Sequence, residues 1–204
     1  MDLYNTLKLA GLIIGAYMLG SIPFGFILAN KFSSVDILTK GSGNIGATNV
    51  MRVSGIKLGA LTLAGDFLKG AVPVYLACAF AESKGPYGEI YIAIVIIATF
   101  MGHLYPLYMK FKNGGKGVAT AAGCFFISSP IAFLAAIAAF VFVILLYRRV
   151  SAGSLLASAV LPFAVWFEGH SVVLAGCAVI IFLFILYRHK DNIRRLISGT
   201  EPPI

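Results

Sequence analysis

The sequence predicts an all-α integral membrane protein with seven transmembrane helices, the N-terminus outside and the C-terminus cytoplasmic. Of its 204 residues, 59% are hydrophobic and 12% are charged, and the mean hydropathy is +0.92. A soluble domain carries about 25% charged residues, so this composition is typical of a chain with several membrane spans. No soluble domain fits beside the apolar segments, and residues 1–204 are predicted as one domain. The segments fall at 7–29, 58–81, 90–109, 117–129, 130–147, 153–167 and 171–187.

Two of the segments, 117–129 and 153–167, are shorter than the roughly 17–25 residues of a membrane span. At a rise of about 1.5 Å per residue, thirteen helical residues cover only about 20 Å. We therefore expect the fourth segment to begin or end within the depth of the protein. The run Ser128-Ser129-Pro130 marks a break before the fifth segment.

The distribution of positive charge sets the predicted topology. The formal net charge is +8. With seven spans and the N-terminus outside, only Lys8 and Lys84 lie on the outer side, and Lys69 lies within a segment. All other Lys and Arg residues are then cytoplasmic, as the positive-inside tendency favours. The excess charge is thus explained by cytoplasmic loops and an anionic ligand, and no nucleic-acid partner is predicted.

The stretch Gly41–Arg52, GSGNIGATNVMR, is a candidate anion-binding loop between two apolar segments. Glycine lets backbone N–H groups converge, Asn and Ser add neutral hydrogen-bond partners, and Arg52 adds a guanidinium suited to phosphate. The candidate ligand-binding residues are Ser42, Gly43, Asn44 and Asn49. The literal G-x-G-x-x-G match is rejected as a dinucleotide motif, because a membrane helix precedes it rather than a strand. A flexible loop is the alternative.

A second glycine loop, Lys112–Gly117, precedes the fourth apolar segment. It fails as a Walker A motif, because Gly117 stands where Ser or Thr is required. The free N–H groups at the start of the following helix still favour an anion, and Gly114 and Gly115 are candidate phosphate ligands. A cation at a helix start is unfavourable for the helix, which suggests that Lys116 serves a ligand. Topology-setting charge is the alternative.

Further polar candidates lie in or near the last three segments and in the second. His189 and Asn192 are three residues apart and are predicted to turn inward on one helix face, although a structural role for the histidine is equally open. Ser154 lies at the cytoplasmic mouth of the sixth segment. Asp66 and Lys69 are either functional intramembrane charges or a structural pair.

Patterns typical of metal ligands do not occur, so neither a metal nor another cofactor is predicted.

Three clusters, GSGNIGATN, GHLYP with GGKGVAT, and RHKDNIRRLISGTE, together resemble the bacterial acyl-phosphate-dependent glycerol-3-phosphate acyltransferases. GSIPFG and DFLKG resemble the same family, although Asn113 is an extra residue relative to the family's FKGGKG. The resemblance implies a seven-helix enzyme of the bacterial inner membrane with a cytoplasmic active site. It would transfer an acyl chain from acyl phosphate to the 1-position hydroxyl of glycerol 3-phosphate. The expected partners are these substrates and membrane lipids, and we expect a monomer.

Fitting that chemistry to the residues gives a specific hypothesis. The phosphate of acyl phosphate would lie against N–H groups of Gly114, Gly115 and Lys116, with Ser42 and Asn44 opposite. Glycerol 3-phosphate would be oriented by Arg52, Lys116, Ser154, His189 and Asn192, and of these Lys116, His189, Asn192 and Arg52 are the predicted catalytic residues. The alternatives are a carrier or channel for a phosphorylated anion, and a non-catalytic lipid-binding membrane protein.

Overall fold

The computed structural model describes residues 3–80 and 86–204, and these residues form ten α-helices and one short 3-10 helix. The predicted outer loop around Lys84 lies outside the described residues. The helices are α1 (Leu3–Gly20), α2 (Phe24–Phe32), α3 (Ala47–Ser54), α4 (Ile56–Phe80), α5 (Pro86–Leu104), the 3-10 helix (Leu107–Met109), α6 (Val118–Ser128), α7 (Pro130–Tyr147), α8 (Val150–Gly169), α9 (Val172–Arg188) and α10 (Lys190–Ile197).

Four helical spans within the described residues are long and apolar enough to cross a membrane, and the number rises to six if two bent pairs each count as one span. The four contain α4, α5, α7 and α8. The bent pairs are α1 with α2, at 41°, and α9 with α10, at 63°. Helix α6 is apolar but has only 11 residues. The prediction of an all-helical membrane protein with a short fourth helix is confirmed, whereas seven spans and the orientation of the termini remain predictions.

The first apolar segment, predicted as one stretch over 7–29, is broken in its middle. Helix α1 ends at Gly20 and α2 begins at Phe24, because Pro23 has no N–H to continue the helical ladder. The break leaves backbone carbonyls without helical partners, which is costly away from water. Lys69 Nζ donates to the carbonyl of Ile22 at 2.8 Å, and the same ammonium lies 2.8 Å from Asp66 Oδ1. The Asp66–Lys69 pair therefore stabilises the broken first segment.

The prediction that the sixth segment is short was wrong. Helix α8 runs over 20 residues, Val150–Gly169, instead of 153–167. Ser151 and Gly153 are helical and buried, although their small, partly polar side chains look like loop residues in the sequence. At the other end the helix continues through Glu168, whose carboxylate accepts the N–H of Ala132 at 2.8 Å in the first turn of α7. A charged residue thus stays helical because it caps a neighbouring helix.

Helices α4 and α6 lie in close contact because glycine faces backbone where they cross. A Cβ atom on Gly70 would collide with the carbonyl of Thr120, and one on Gly123 would collide with the carbonyl of Phe67. Helix α7 packs against α8 and, to a smaller extent, against α6. Because α6 is short and is flanked by longer helices, the space beside it is not filled by helix. The candidate site occupies that space.

Candidate active site

The loop that leads into α3 is folded around the side chain of Asn49, which is 3% exposed. Its Nδ2 donates to the carbonyls of Ile37 at 3.2 Å, Lys40 at 3.3 Å and Asn44 at 2.9 Å. Its Oδ1 accepts the N–H of Ser42 at 2.8 Å. The amide is therefore fully engaged by its own loop, and its contacts fix the backbone that presents Ser42 and Asn44.

Two glycines in this loop have the left-handed backbone that glycine adopts most easily. Gly41 has φ +63° and Gly43 has φ +66°. A Cβ atom on Gly41 would also collide with Asn49 Oδ1. Gly43 shapes the turn and does not line the cavity described below, whereas Ser42 and Asn44 do.

The second glycine loop is held between the C-terminal ends of α5 and α9. The N–H of Gly115 donates to the carbonyl of His103 at 3.2 Å. Arg188 donates from Nε to the carbonyl of Gly115 at 3.1 Å and from Nη2 to that of Gly114. A Cβ atom on Gly114 would meet the Leu104 carbonyl, and one on Gly115 would meet the His103 imidazole. These glycines permit close packing, and the Gly115 N–H already has a protein acceptor.

Helix α6 begins after this loop with Gly117, which has φ +83° and gives no side-chain cap. The first N–H groups of a helix have no partner within the helix, and they carry the positive end of its dipole. Gly117, Val118 and Ala119 line the cavity. The donors that the start of α6 offers to an anion therefore follow the Gly114–Lys116 set that the sequence indicated.

Lys116 is joined to the C-terminal segment through a chain of short hydrogen bonds. Its Nζ donates to Asn192 Oδ1 at 2.5 Å, and Asn192 Nδ2 donates to Glu201 Oε1 at 2.7 Å. The Glu201 carboxylate also accepts Ser151 Oγ at 2.6 Å and Arg195 Nε at 2.7 Å. Burial raises the pKa of Glu201, but these three donors and the Arg195 charge outweigh it and hold the pKa below its ordinary value. Glu201 is thus an ionised hub that orients Asn192.

The Lys116 ammonium is surrounded by more positive than negative charge. Burial lowers its pKa to about 8, an effect that Glu201 opposes and that Arg195, Arg52 and Arg188 reinforce. The salt bridges found in the described residues do not include Lys116, whose hydrogen-bond acceptor is a neutral amide. An anionic ligand would supply the negative charge that the protein does not place beside Lys116.

His189 lies at the bend between α9 and α10 and is 2% exposed. Its Nδ1 lies 2.8 Å from the carbonyl of Ile185, so Nδ1 carries the proton and Nε2 carries the lone pair. Burial, with the nearby Lys116 charge, lowers its pKa to about 4. At neutral pH the imidazole is therefore an uncharged hydrogen-bond acceptor held in one tautomer.

These residues enclose two adjoining cavities, which we call the cup and the groove. The cup has a volume of about 260 Å³ and is polar. The groove has a volume of about 830 Å³ and is mainly apolar. Ser42, Asn44, Lys116, Asn192 and Arg195 line both, so the two are continuous. Arg52, Ser154 and His189 line the groove near this junction.

The groove runs between four helices. Residues from α4, α6, α7 and α8 form its walls, and most of them are apolar. Asp66 and His103 are the buried ionisable residues in its α4–α5 side, where His103 Nδ1 lies 3.7 Å from Asp66 Oδ1. A polar cup that opens into an apolar groove suits a ligand with an anionic head and a hydrocarbon chain.

Most of the predicted site residues converge on these cavities. Arg52 is exposed, and its Nη2 donates to the carbonyls of Pro202 at 3.3 Å and Pro203 at 3.4 Å, which places it at the rim. Gly114 and Gly115 do not line either cavity.

The sequence interpretation missed Glu201, Arg188 and Arg195. Glu201 is one of two carboxylate residues in a basic C-terminal segment, and that was the available signal.

This architecture defines the class of an integral membrane enzyme for an anionic, chain-bearing substrate, and comparison with known proteins gives the family. Residues 10–199 match the glycerol-3-phosphate acyltransferase family. The glycerol-3-phosphate acyltransferase of Syntrophotalea carbinolica is 46% identical over 190 residues, which cover 93% of this chain and 94% of that protein. That of Geotalea daltonii is 50% identical, again with 93% and 94% coverage.

Solved structures give the same result. The crystal structure of PlsY (YgiH), an integral membrane glycerol 3-phosphate acyltransferase, in its glycerol 3-phosphate form is 38% identical, with a TM-score of 0.89 over 97% of this chain and 96% of that chain. Its lysophosphatidic acid form has a TM-score of 0.86, with 97% and 95% coverage. The chain therefore belongs to the glycerol-3-phosphate acyltransferase family, and it is a membrane acyltransferase.

Proposed function

We propose that this enzyme transfers an acyl chain from acyl phosphate to the 1-position hydroxyl of glycerol 3-phosphate, releasing lysophosphatidic acid and inorganic phosphate. The observation that carries the proposal is the continuity of the cup with the groove at Lys116 and Asn192. The glycerol 3-phosphate form of PlsY, a close structural relative, supports the acceptor, and its lysophosphatidic acid form supports the product.

Glycerol 3-phosphate fits the cup. Its phosphate would contact the Lys116 ammonium, the Arg195 guanidinium and the hydrogen-bond donors of Ser42 and Asn44, all of which line the cup. Arg52 at the rim would add a further guanidinium by exchanging the carbonyls of Pro202 and Pro203 for a phosphate oxygen. This arrangement leaves the glycerol hydroxyls toward Ser154 and His189, at the junction with the groove.

Acyl phosphate fits the groove. The hydrocarbon chain would lie along the apolar walls, where its methylenes exchange contacts with lipid for contacts with protein. Its phosphate would lie at the uncapped start of α6, near the N–H groups of Val118 and Ala119. In the proposed pose, the acyl carbonyl lies at the junction, next to the acceptor hydroxyl. Positioning of two bound substrates is a large part of the rate enhancement that such a site provides.

The chemical step needs little acid–base catalysis from the protein. The acceptor hydroxyl oxygen forms a bond to the acyl carbon, and the bond from that carbon to the phosphate oxygen breaks. The hydroxyl proton passes to the leaving phosphate. His189 has a pKa of about 4 and is a weak base at neutral pH. Its Nε2 would accept a hydrogen bond from the hydroxyl, which orients the nucleophile, and Lys116 would stabilise charge on phosphate.

The same charge pattern supports a location in the bacterial inner membrane, with the N-terminus outside and the site on the cytoplasmic side. The residues of the cup belong to the segments that the positive-inside tendency assigns to the cytoplasm. Both anionic substrates are available from that side, and lysophosphatidic acid would leave into the lipid.

The test is an assay of purified protein with acyl phosphate and glycerol 3-phosphate, without nucleotide or acyl-CoA. We expect phosphate and lysophosphatidic acid in equal amounts. A parallel reaction with acyl-CoA in place of acyl phosphate identifies the donor, and its exclusive use would overturn the proposal. Proteoliposomes that accumulate labelled glycerol 3-phosphate without forming product would instead support the carrier alternative.

A further inference from the structure

The groove has a defined far end, which can be located from the positions of its lining residues along each helix. On α8, lining runs from Val150 to Leu161, and Ser151 donates to Glu201, which also accepts a hydrogen bond from Asn192 at the cup. On α7, the lining residues are Phe133, Ala136, Ile137 and Phe140. The C-terminus of α7 lies near the cup, because the carbonyl of Arg148 accepts the N–H of Ile204 at 3.0 Å. Phe133 is therefore the α7 residue farthest from the cup.

The distance to that end suits a long hydrocarbon chain. On α7 the lining residues run from Phe140 to Phe133, and on α8 they run from Val150 to Leu161, which corresponds to about 10 Å and about 16 Å along the two helices. On α6, the farthest lining residue is Phe125, and on α8 it is Leu161. All three residues are large and apolar, and they lie on the side of the groove away from Lys116.

Small residues line part of each wall between the cup and that end. They are Gly59 and Ala60 on α4, Ala119 and Ala122 on α6, and Ala136 and Ala157 on α7 and α8, and they lie beside the larger Leu63, Ile137 and Phe140. A chain that fills the space beside the small residues would meet aromatic rings at a fixed depth.

Phe133 is held at this depth by two other rings. Its ring centroid lies 5.3 Å from that of Phe126 on α6 and 6.1 Å from that of Phe67 on α4. Phe67 and Phe126 are themselves 5.6 Å apart. The three rings join α4, α6 and α7, and such edge-to-face contacts contribute stability beyond their buried area. Displacing Phe133 would therefore disturb the contacts among three helices.

We propose that Phe133, held by Phe67 and Phe126, is a specificity-determining residue that sets the longest acyl chain the groove accepts. This inference rests on the proposed function, because it needs the acyl chain of the donor in the groove. Chains whose terminal methyl group reaches Phe133 fill the groove. Longer chains must displace the ring or leave methylenes outside the groove, and each methylene that loses its contacts with the groove walls lowers kcat/KM.

The experiment compares Phe133→Ala and Phe133→Trp with the unchanged protein, using saturated acyl phosphates that increase in steps of two methylenes. Phe133→Ala is expected to raise kcat/KM severalfold for the first chain longer than the wild-type optimum, because two more methylenes gain contacts with the groove walls. Phe133→Trp is expected to move the optimum to a shorter chain.

Phe142→Ala is the matched control, since Phe142 lies on the same helix, is 60% exposed and does not line the groove. It is expected to keep the wild-type chain-length profile. Phe133→Leu, a smaller change, replaces Phe133→Ala if the latter does not fold, and it is expected to shift the profile in the same direction. An active variant at position 133 with an unchanged profile would overturn the proposal, because the chain would then leave the groove sideways into lipid.

The two proposals fail in different ways. A wild-type protein that releases no phosphate from an acyl phosphate of any length refutes the proposed donor, and the chain-length inference falls with it. A wild-type protein that uses acyl phosphate, with variants whose chain-length profile is unchanged, refutes the role of Phe133 alone.

Discussion

Two lysines beside the same cavity differ in how their charges are balanced. Lys69 is 2% exposed, and its ammonium lies 2.8 Å from the Asp66 carboxylate and 2.8 Å from the Ile22 carbonyl. Lys116 donates to the neutral amide of Asn192, with three arginine side chains nearby and Glu201 as the nearby carboxylate. The first charge is neutralised by a partner three residues away on its own helix. The second is held in place without being neutralised.

This difference separates a structural cation from one prepared for a ligand. A buried charge needs compensation, and for Lys69 the protein supplies it within one helix and uses the pair to support the break at Ile22 and Pro23. For Lys116 the compensation would come from the substrate phosphate. The contrast predicts that changes at the two lysines affect different measurable properties, activity at Lys116 and stability at Lys69.

The largest effect is expected for Lys116→Ala. Loss of the cation removes a preorganised electrostatic contact, and we expect kcat/KM for glycerol 3-phosphate to fall about 100- to 1000-fold. The melting temperature in detergent should stay within a few degrees of that of the wild type, because Lys116 has no ion pair to lose. A turnover close to wild type would contradict the assignment of this lysine to the site.

Asp66→Asn is expected to act on stability. It leaves the Lys69 ammonium buried without its carboxylate, which costs about 3–5 kcal/mol of folding free energy. Thermal or denaturant unfolding in detergent measures the loss. The double variant Asp66→Ala with Lys69→Met is the control, and it should recover much of the stability because it leaves no uncompensated charge. A double variant as unstable as the single one would show that the pair is not a structural unit.

The pH dependence of the reaction follows from the two pKa values near the cup. If protonated Lys116 binds phosphate as proposed, kcat/KM for glycerol 3-phosphate should be highest below its pKa of about 8 and fall by up to tenfold per pH unit above it. His189, with a pKa of about 4, should give no inflection between pH 5 and pH 7. In Lys116→Arg the fall above pH 8 should disappear, since arginine stays charged. A fall that persists in this variant would assign it to another group.

The smallest effect is expected for Arg52→Gln. Arg52 is exposed at the rim, and it must give up two carbonyl contacts before it binds phosphate. We expect a loss of about 1.5 kcal/mol, equivalent to a roughly tenfold increase in KM for glycerol 3-phosphate, with kcat nearly unchanged. A large loss of kcat would instead place Arg52 at the reacting atoms.

The sequence predicts the parts of this site that depend on local patterns. The spacing of His189 and Asn192 predicted that both turn inward, and both are buried. Lys116 was identified because a cation at a helix start is locally unfavourable. The brevity of α6 followed from counting apolar residues before Pro130. Each of these inferences uses information within about a dozen residues of the chain.

Other features depend on contacts between distant segments and have no local pattern. Glu201 binds Ser151, fifty residues earlier, and the closest backbone approach of the glycine loop is to His103 and Leu104 at the end of α5. The sequence indicated that Gly115 offers its N–H to phosphate, whereas the His103 carbonyl accepts it. Asn49 was expected to bind substrate, and its amide is engaged by its own loop. The glycine content predicted tight loops. The group that each glycine contacts became known only from the fold.

The most direct test of the central claim is the binding of glycerol 3-phosphate alone, measured by calorimetry on the purified protein at pH 7. Binding without a donor isolates the contact with phosphate from the chemical step. If Lys116 is the unneutralised cation that receives the substrate, Lys116→Ala should raise the dissociation constant at least tenfold. The double variant Asp66→Ala with Lys69→Met should leave the dissociation constant unchanged. Equal affinity in the wild type and Lys116→Ala would contradict the account.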